Sequence, residues 1–68
     1  MSVYKVIEIV GTSDVSWEDA AAQAVARAGK TLEDLRIGEV ITQDVTIENG
    51  MVNSYRTKLS VSFKFKEG

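Results

Sequence analysis

The chain contains no cysteine and no histidine. The first absence removes disulfides and thiolate chemistry. The two together remove every structural zinc or haem site built on sulfur or imidazole. No serine can be paired with a histidine base, and no glycine-rich phosphate loop, pair of catalytic acids or linear metal-ligand cluster stands at a recognisable spacing. The residues therefore argue against an enzyme. Positive charge is also short: eight Lys and Arg stand against ten Asp and Glu, a formal charge of −2. No basic field is available to gather nucleic acid. The opening Met1-Ser2-Val3-Tyr4-Lys5 lacks a basic stretch followed by an apolar core, and no apolar run is long enough to span a bilayer. The expectation is a cytoplasmic protein with neither nucleic acid nor membrane as partner.

What is there is one domain's worth of chain, residues 1–68, with 44% hydrophobic and 26% charged residues well interspersed. A chain of this size buries only about 60% of the surface it exposes when unfolded. With no disulfide or zinc to add stability, self-association is the remaining means, so a homo-oligomer is expected.

Ser2 to Val10 is rich in Val, Ile and Tyr and reads as a strand closed by Gly11-Thr12-Ser13-Asp14. That turn either caps the following helix or binds an anion at its N-terminus. Ser16 and Asp19 have capping-box spacing, with Asp in place of the usual Glu or Gln. From Trp17 the apolar residues Ala21, Ala24, Val25, Ala28, Leu32 and Leu35 keep helical spacing, which predicts a helix of about 18 residues beginning near Ser16. Gly29 weakens its last turn. Trp17, at the head of the stripe, packs against a sheet or offers a stacking platform.

Ile37 to Ile47 and Val52 to Phe65 each alternate in polarity, and Asn49-Gly50 between them is the pair that best tolerates the two positive φ angles of a tight hairpin turn. The fold class is therefore α+β: strand, helix and a long hairpin. An unbulged two-residue loop sets Gln43 opposite Arg56, Ile41 opposite Lys58 and Ile37 opposite Ser62. One face then carries Ile37, Glu39, Ile41, Gln43, Arg56, Lys58, Ser60 and Ser62. The other carries Val40, Thr42, Tyr55, Thr57, Leu59, Val61 and Phe63, and suits the helix. A single helix shields one sheet face, never both, so neighbouring subunits are expected to close over the first. Gln43 and Arg56 on that face either hold a carboxylate or phosphate or pair with an acid such as Glu39. Lys58, Lys64 and Lys66 share the face, where alternating lysines also guard strands against aggregation.

The segment Tyr4-Lys5-Val6-Ile7-Glu8-Ile9-Val10-Gly11-Thr12-Ser13, the alanine-rich helix ending at Ala26-Arg27-Ala28, Glu39-Val40, and Leu59-Ser60-Val61-Ser62-Phe63 together resemble the dodecins over essentially the whole chain. The resemblance implies a β-α-β-β fold, a three-stranded antiparallel sheet partly wrapped around one helix, with twelve copies in a hollow homododecamer. It implies a non-enzymatic shell that binds or stores small ligands or ions. Flavin-binding dodecins stack isoalloxazine rings on a tryptophan at the start of the second strand, beside a glutamine on the third. Here those positions hold Ile37 and Arg56, so flavin (FMN or riboflavin) is expected to bind weakly, and a ligand pocket at Ile37, Gln43, Arg56 and Lys58 to favour charge over stacking. Met1-Ser2-Val3-Tyr4-Lys5-Val6-Ile7, Ser16-Trp17-Glu18, Gln43-Asp44 and Tyr55-Arg56 are similar to the calcium dodecin branch, which implies calcium as the ligand. Calcium needs six to eight oxygens, and the nominated ligands are Asp44 and Glu48. A flavin-sequestering shell and a purely structural assembly stand as the alternatives.

Overall fold

The computed structural model describes residues 2–64. β1 (Tyr4–Ser13), α1 (Trp17–Ala28), β2 (Leu35–Glu48) and β3 (Met51–Lys64) follow in that order. The strands form one antiparallel sheet in the order β1-β3-β2, the α+β arrangement expected from the sequence. Phe65 and Lys66 lie outside the described residues.

β1 runs three residues past the expected break. Gly11 does not end the strand; it pairs with Thr57 inside the ladder, which continues through Thr12 and Ser13. The reason is steric: a Cβ on Gly11 would stand 2.1 Å from the carbonyl oxygen of Ala20 and 2.9 Å from the Ala24 methyl. Glycine and two alanines thus let the helix backbone lie against the strand, and Ala20 is fully buried there. The neighbouring Thr57 is equally buried, and its hydroxyl donates to the Trp17 carbonyl at 2.9 Å. That bond ties the first turn of the helix to β3.

The helix begins where the capping residues place it. Ser16 is the N-cap, and its hydroxyl accepts from the Asp19 amide at 3.0 Å. Ser13, at the end of β1, donates to the Asp19 carboxylate at 2.6 Å and accepts from the Val15 amide at 2.9 Å. Gln23 also donates to that carboxylate. The Ser13 oxygen is thus committed to the cap, the plain alternative of the two for this turn.

The helix ends sooner than its apolar spacing suggests, at 12 residues. Leu32 lies beyond it, and Leu35 is already on β2, opposite Phe63. Asp34 makes the switch with a φ of +60°, a conformation that Asp tolerates better than most residues. Its carbonyl accepts from the Lys64 amide.

The hairpin turns at Asn49 and Gly50, both at positive φ, as the sequence predicts. Its register departs from the unbulged expectation. Pairing starts in step, with Ile47 opposite Val52, then slips so that Asp44 faces Arg56, Gln43 faces Thr57 and Thr42 faces Lys58. A second shift between Val40 and Thr42 restores the original frame, with Ile37 opposite Ser62. A one-residue slip moves side chains to the other face. Gln43 therefore joins Thr57 on the helix side, Asp44 takes the place expected of Gln43, and Thr42 that expected of Ile41.

The helix packs over β1 and β3. Leu59 and Val61 are buried beneath it. The opposite sheet face, bearing Val6, Val10 and Ile37 (66% exposed), has no cover among the described residues. Beyond the last β1 pair, Ser13 with Tyr55, the hairpin continues as a two-stranded arm, and the molecule measures 51 × 20 × 14 Å.

Two outcomes follow from the helix seat. Gly11→Ala forces helix and strand apart and lowers unfolding stability by about 1–3 kcal/mol, the range for overpacking a close contact, measured by chemical denaturation. The bonds from Ser13 and Gln23 hold the Asp19 carboxyl below its ordinary pKa of 3.8. A carboxyl whose folded pKa is depressed stabilises the fold above its unfolded pKa and loses that contribution as pH falls through the folded value. Between pH 5 and pH 2 the Asp19→Asn protein therefore loses less melting temperature than the parent.

Candidate functional site

The uncovered face can be read row by row across β1, β3 and β2. Glu8, Ser60 and Glu39 form one row, Val10, Lys58 and Thr42 the next, and Thr12, Arg56 and Asp44 the third. Directly opposed residues in an antiparallel pair point to the same side. Lys58 and Arg56, two apart on β3, are neighbours about 7 Å apart along the strand.

Each of these cations is held by an acid of its own subunit. Arg56 meets Asp44 as a two-pronged fork, Nε to Oδ1 at 2.7 Å and an Nη to Oδ2 at 2.8 Å. The hydrogen bonds from Arg56 keep the Asp44 carboxyl below its ordinary range, and those same bonds raise the Arg56 pKa further. Lys58 Nζ stands 3.2 Å from Glu8 Oε1. All four side chains are roughly half-exposed. The Asp44 backbone is fixed as well, because its carbonyl accepts from the Trp17 indole Nε1–H at 2.9 Å. Trp17 lies edge-on to Tyr55, ring centroids 5.1 Å apart at 76°, and remains 37% exposed. It packs on the sheet at the helix start, while its indole N–H steadies the strand that presents Asp44.

The structure brings together some of the residues nominated from sequence and separates others. Arg56 and Lys58 are neighbours. Asp44, nominated as a metal ligand, is the acid partner of Arg56, the place for which Glu39 was considered. Gln43 points to the other face and does not oppose Arg56. Ile37 shares the face with Arg56 but pairs with Ser62, six residues along β3 and so about 20 Å away. Within one subunit Ile37 and Arg56 do not line a common pocket. Glu48 pairs with Met51 beside the turn, four residues from Asp44 and about 13 Å along the strand. No group of three or more acidic side chains suited to a metal occurs among the described residues. With both Asp44 oxygens on Arg56, one subunit does not offer calcium its six to eight oxygens.

Sequence reasoning missed the partners rather than the cations. Glu8 was legible in principle, since β1 alternation puts it on the face of Val6 and Val10. Asp44 was hidden by the register slip. A separate open groove of about 630 Å³ runs between β1 and the helix, lined by Gly11, Thr12, Gln23, Ala24, Arg27 and Thr31 among others. It shares only Thr12 and Val10 with the rows described above.

Comparison with known proteins agrees with this geometry. The Dodecin family model matches residues 3–66. The chain is 53% identical over 66 residues to calcium dodecin of Mycobacterium tuberculosis, covering 97% of this chain and 93% of that protein. It is 43% identical over 65 residues to the dodecin of Thermus thermophilus, covering 96% and 94%. Among solved structures, calcium dodecin of M. tuberculosis, described as calcium chelating with a novel calcium-binding site, superposes with a TM-score of 0.86 at 52% identity over 96% of this chain and 93% of that one. Dodecin from Streptomyces coelicolor gives a TM-score of 0.93 at 36% identity over 98% and 96%. With a family match across nearly its whole length and the same β-α-β-β architecture, the chain belongs to the dodecin family.

Proposed function

We propose that this protein, a single dodecin domain over residues 1–68, works as a non-enzymatic homododecameric shell in the cytoplasm and binds small ions on the sheet face that its helix leaves bare. The observation that carries the reading is the pair of neighbouring cations, Arg56 and Lys58, on a face with exposed apolar residues and no cover among the described residues. An apolar surface of this kind calls for a partner, and here the partner is another copy. Enclosed between copies, Arg56 and Lys58 bind a small anion, with the forked guanidinium suited to a carboxylate or phosphate. Arg56, Lys58 and the flanking Ile37 belong to this ligand surface; Gln43 reaches it only from another copy.

Calcium is the second reading, supported by 53% identity to a relative named for that ion. Since Asp44 and Glu48 stand too far apart to enclose calcium in one subunit, the ion requires oxygens from more than one copy. Flavin is disfavoured because Ile37, at the tryptophan position, supplies no aromatic face for ring stacking.

Native mass spectrometry of the untagged protein, before and after FMN, calcium chloride or sodium sulfate, tests the assembly and its ligands together. The expected outcome is a twelve-subunit species that gains sulfate or calcium and does not gain FMN. A monomer, or a dodecamer that takes up FMN in preference to the ions, sinks the reading.

A further inference from the structure

Both cations of the proposed ligand face are already neutralised by acids from the same subunit: Arg56 by Asp44 and Lys58 by Glu8. The two contacts differ in kind. Lys58 makes one contact at 3.2 Å, whereas Asp44 occupies the Nε–Nη edge of the guanidinium, in the two-pronged geometry a bidentate anion would use there. An incoming oxyanion cannot use that edge until the carboxylate leaves it. Asp44 can leave by side-chain rotation alone, since its backbone stays tied to the Trp17 indole, and within the subunit both side chains are about half-exposed.

We propose that the Arg56–Asp44 fork is an ion-exchange device: Asp44 is a built-in competitor for the anion, and when an oxyanion displaces it, the freed carboxylate becomes available to a divalent cation. This rests on the reading of Arg56 as an anion-binding residue. The consequence is that anion and cation are taken up together. An anion on Arg56 leaves Asp44 unpaired, which favours a cation there; a cation on Asp44 unpairs Arg56, which favours the anion. Linkage requires the two enhancements to be equal. Electroneutrality points the same way, because fork and ligands exchange one ion pair for two.

The test uses the assembled protein with sodium sulfate and calcium chloride as probes, by isothermal titration at constant ionic strength. In the unaltered protein, saturating calcium is expected to tighten sulfate about threefold, and saturating sulfate to tighten calcium by the same factor, the scale of an exposed ion pair. Asp44→Asn, which empties the fork while keeping side-chain size, tightens sulfate by about the same factor and removes the response to calcium. Arg56→Lys, which keeps the charge but loses the fork, weakens sulfate and abolishes the coupling. Native mass confirms that each variant stays assembled, and the coupling in the unaltered protein needs no variant at all. If Asp44→Asn leaves sulfate affinity unchanged while Arg56→Lys lowers it, Arg56 binds the anion without competition and the exchange device is refuted alone. If neither variant alters sulfate binding, the anion sits elsewhere and the function proposed above falls with it. Absence of mutual tightening in the unaltered protein also overturns the device.

Discussion

The close approach between Gly11 on β1 and the backbone of Ala20 on the helix sets the position of much of the rest. It needs glycine on one side and alanine on the other. Once made, with the Thr57 hydroxyl pinning the first turn, it confines the helix to β1 and β3. Leu59 and Val61 become the core by that placement. β2 meets the helix chiefly through Trp17, whose indole N–H reaches the Asp44 carbonyl, and the far face of the sheet is left to the surroundings. A larger helix stripe would have buried more area, but it could not have come so near the strand. The alanine-rich sequence exchanges area for closeness, and the small buried core is one reason for a family that works in assemblies.

The same trade explains which parts of the fold were legible. Alternation, the Asn-Gly turn and the Ser16 cap are signals carried within a few residues, and each predicted its element. Gly11 was read as a break because local propensity treats glycine in a strand as a defect; its role depends on Ala20, nine residues away on the helix. The helix end was overestimated for a related reason. Leu32 and Leu35 keep the helical period, yet Leu35 is required opposite Phe63, and Asp34 turns the chain into that strand at positive φ. Pairing across the sheet outweighed a continuing period.

The candidate site was half legible. Arg56 and Lys58 belong to β3, whose register against β1 runs without a shift, so alternation placed them correctly. The acid partner of Arg56, Asp44, lies on β2, whose pairing with β3 carries three irregularities. Each bulge adds a residue to one strand only and leaves no mark in the alternation of the other. Gln43 and Asp44 exchanged faces because of one such residue, and with them the chemistry beside Arg56 changed from an amide to a carboxylate. A site written across two strands inherits the uncertainty of the less regular one.

The strand order has a consequence in time rather than space. Among the described residues the strand partner of β1 is β3, with Tyr4 set against Lys64. The valines and isoleucines of β1 therefore have no strand to pair with until β3, last in chain order of the described elements, has been made. The hairpin closes through adjacent residues, whereas pairing β1 closes the longest loop among the described strands, the costlier step in chain entropy. Helix and hairpin together form the slot that β1 fills.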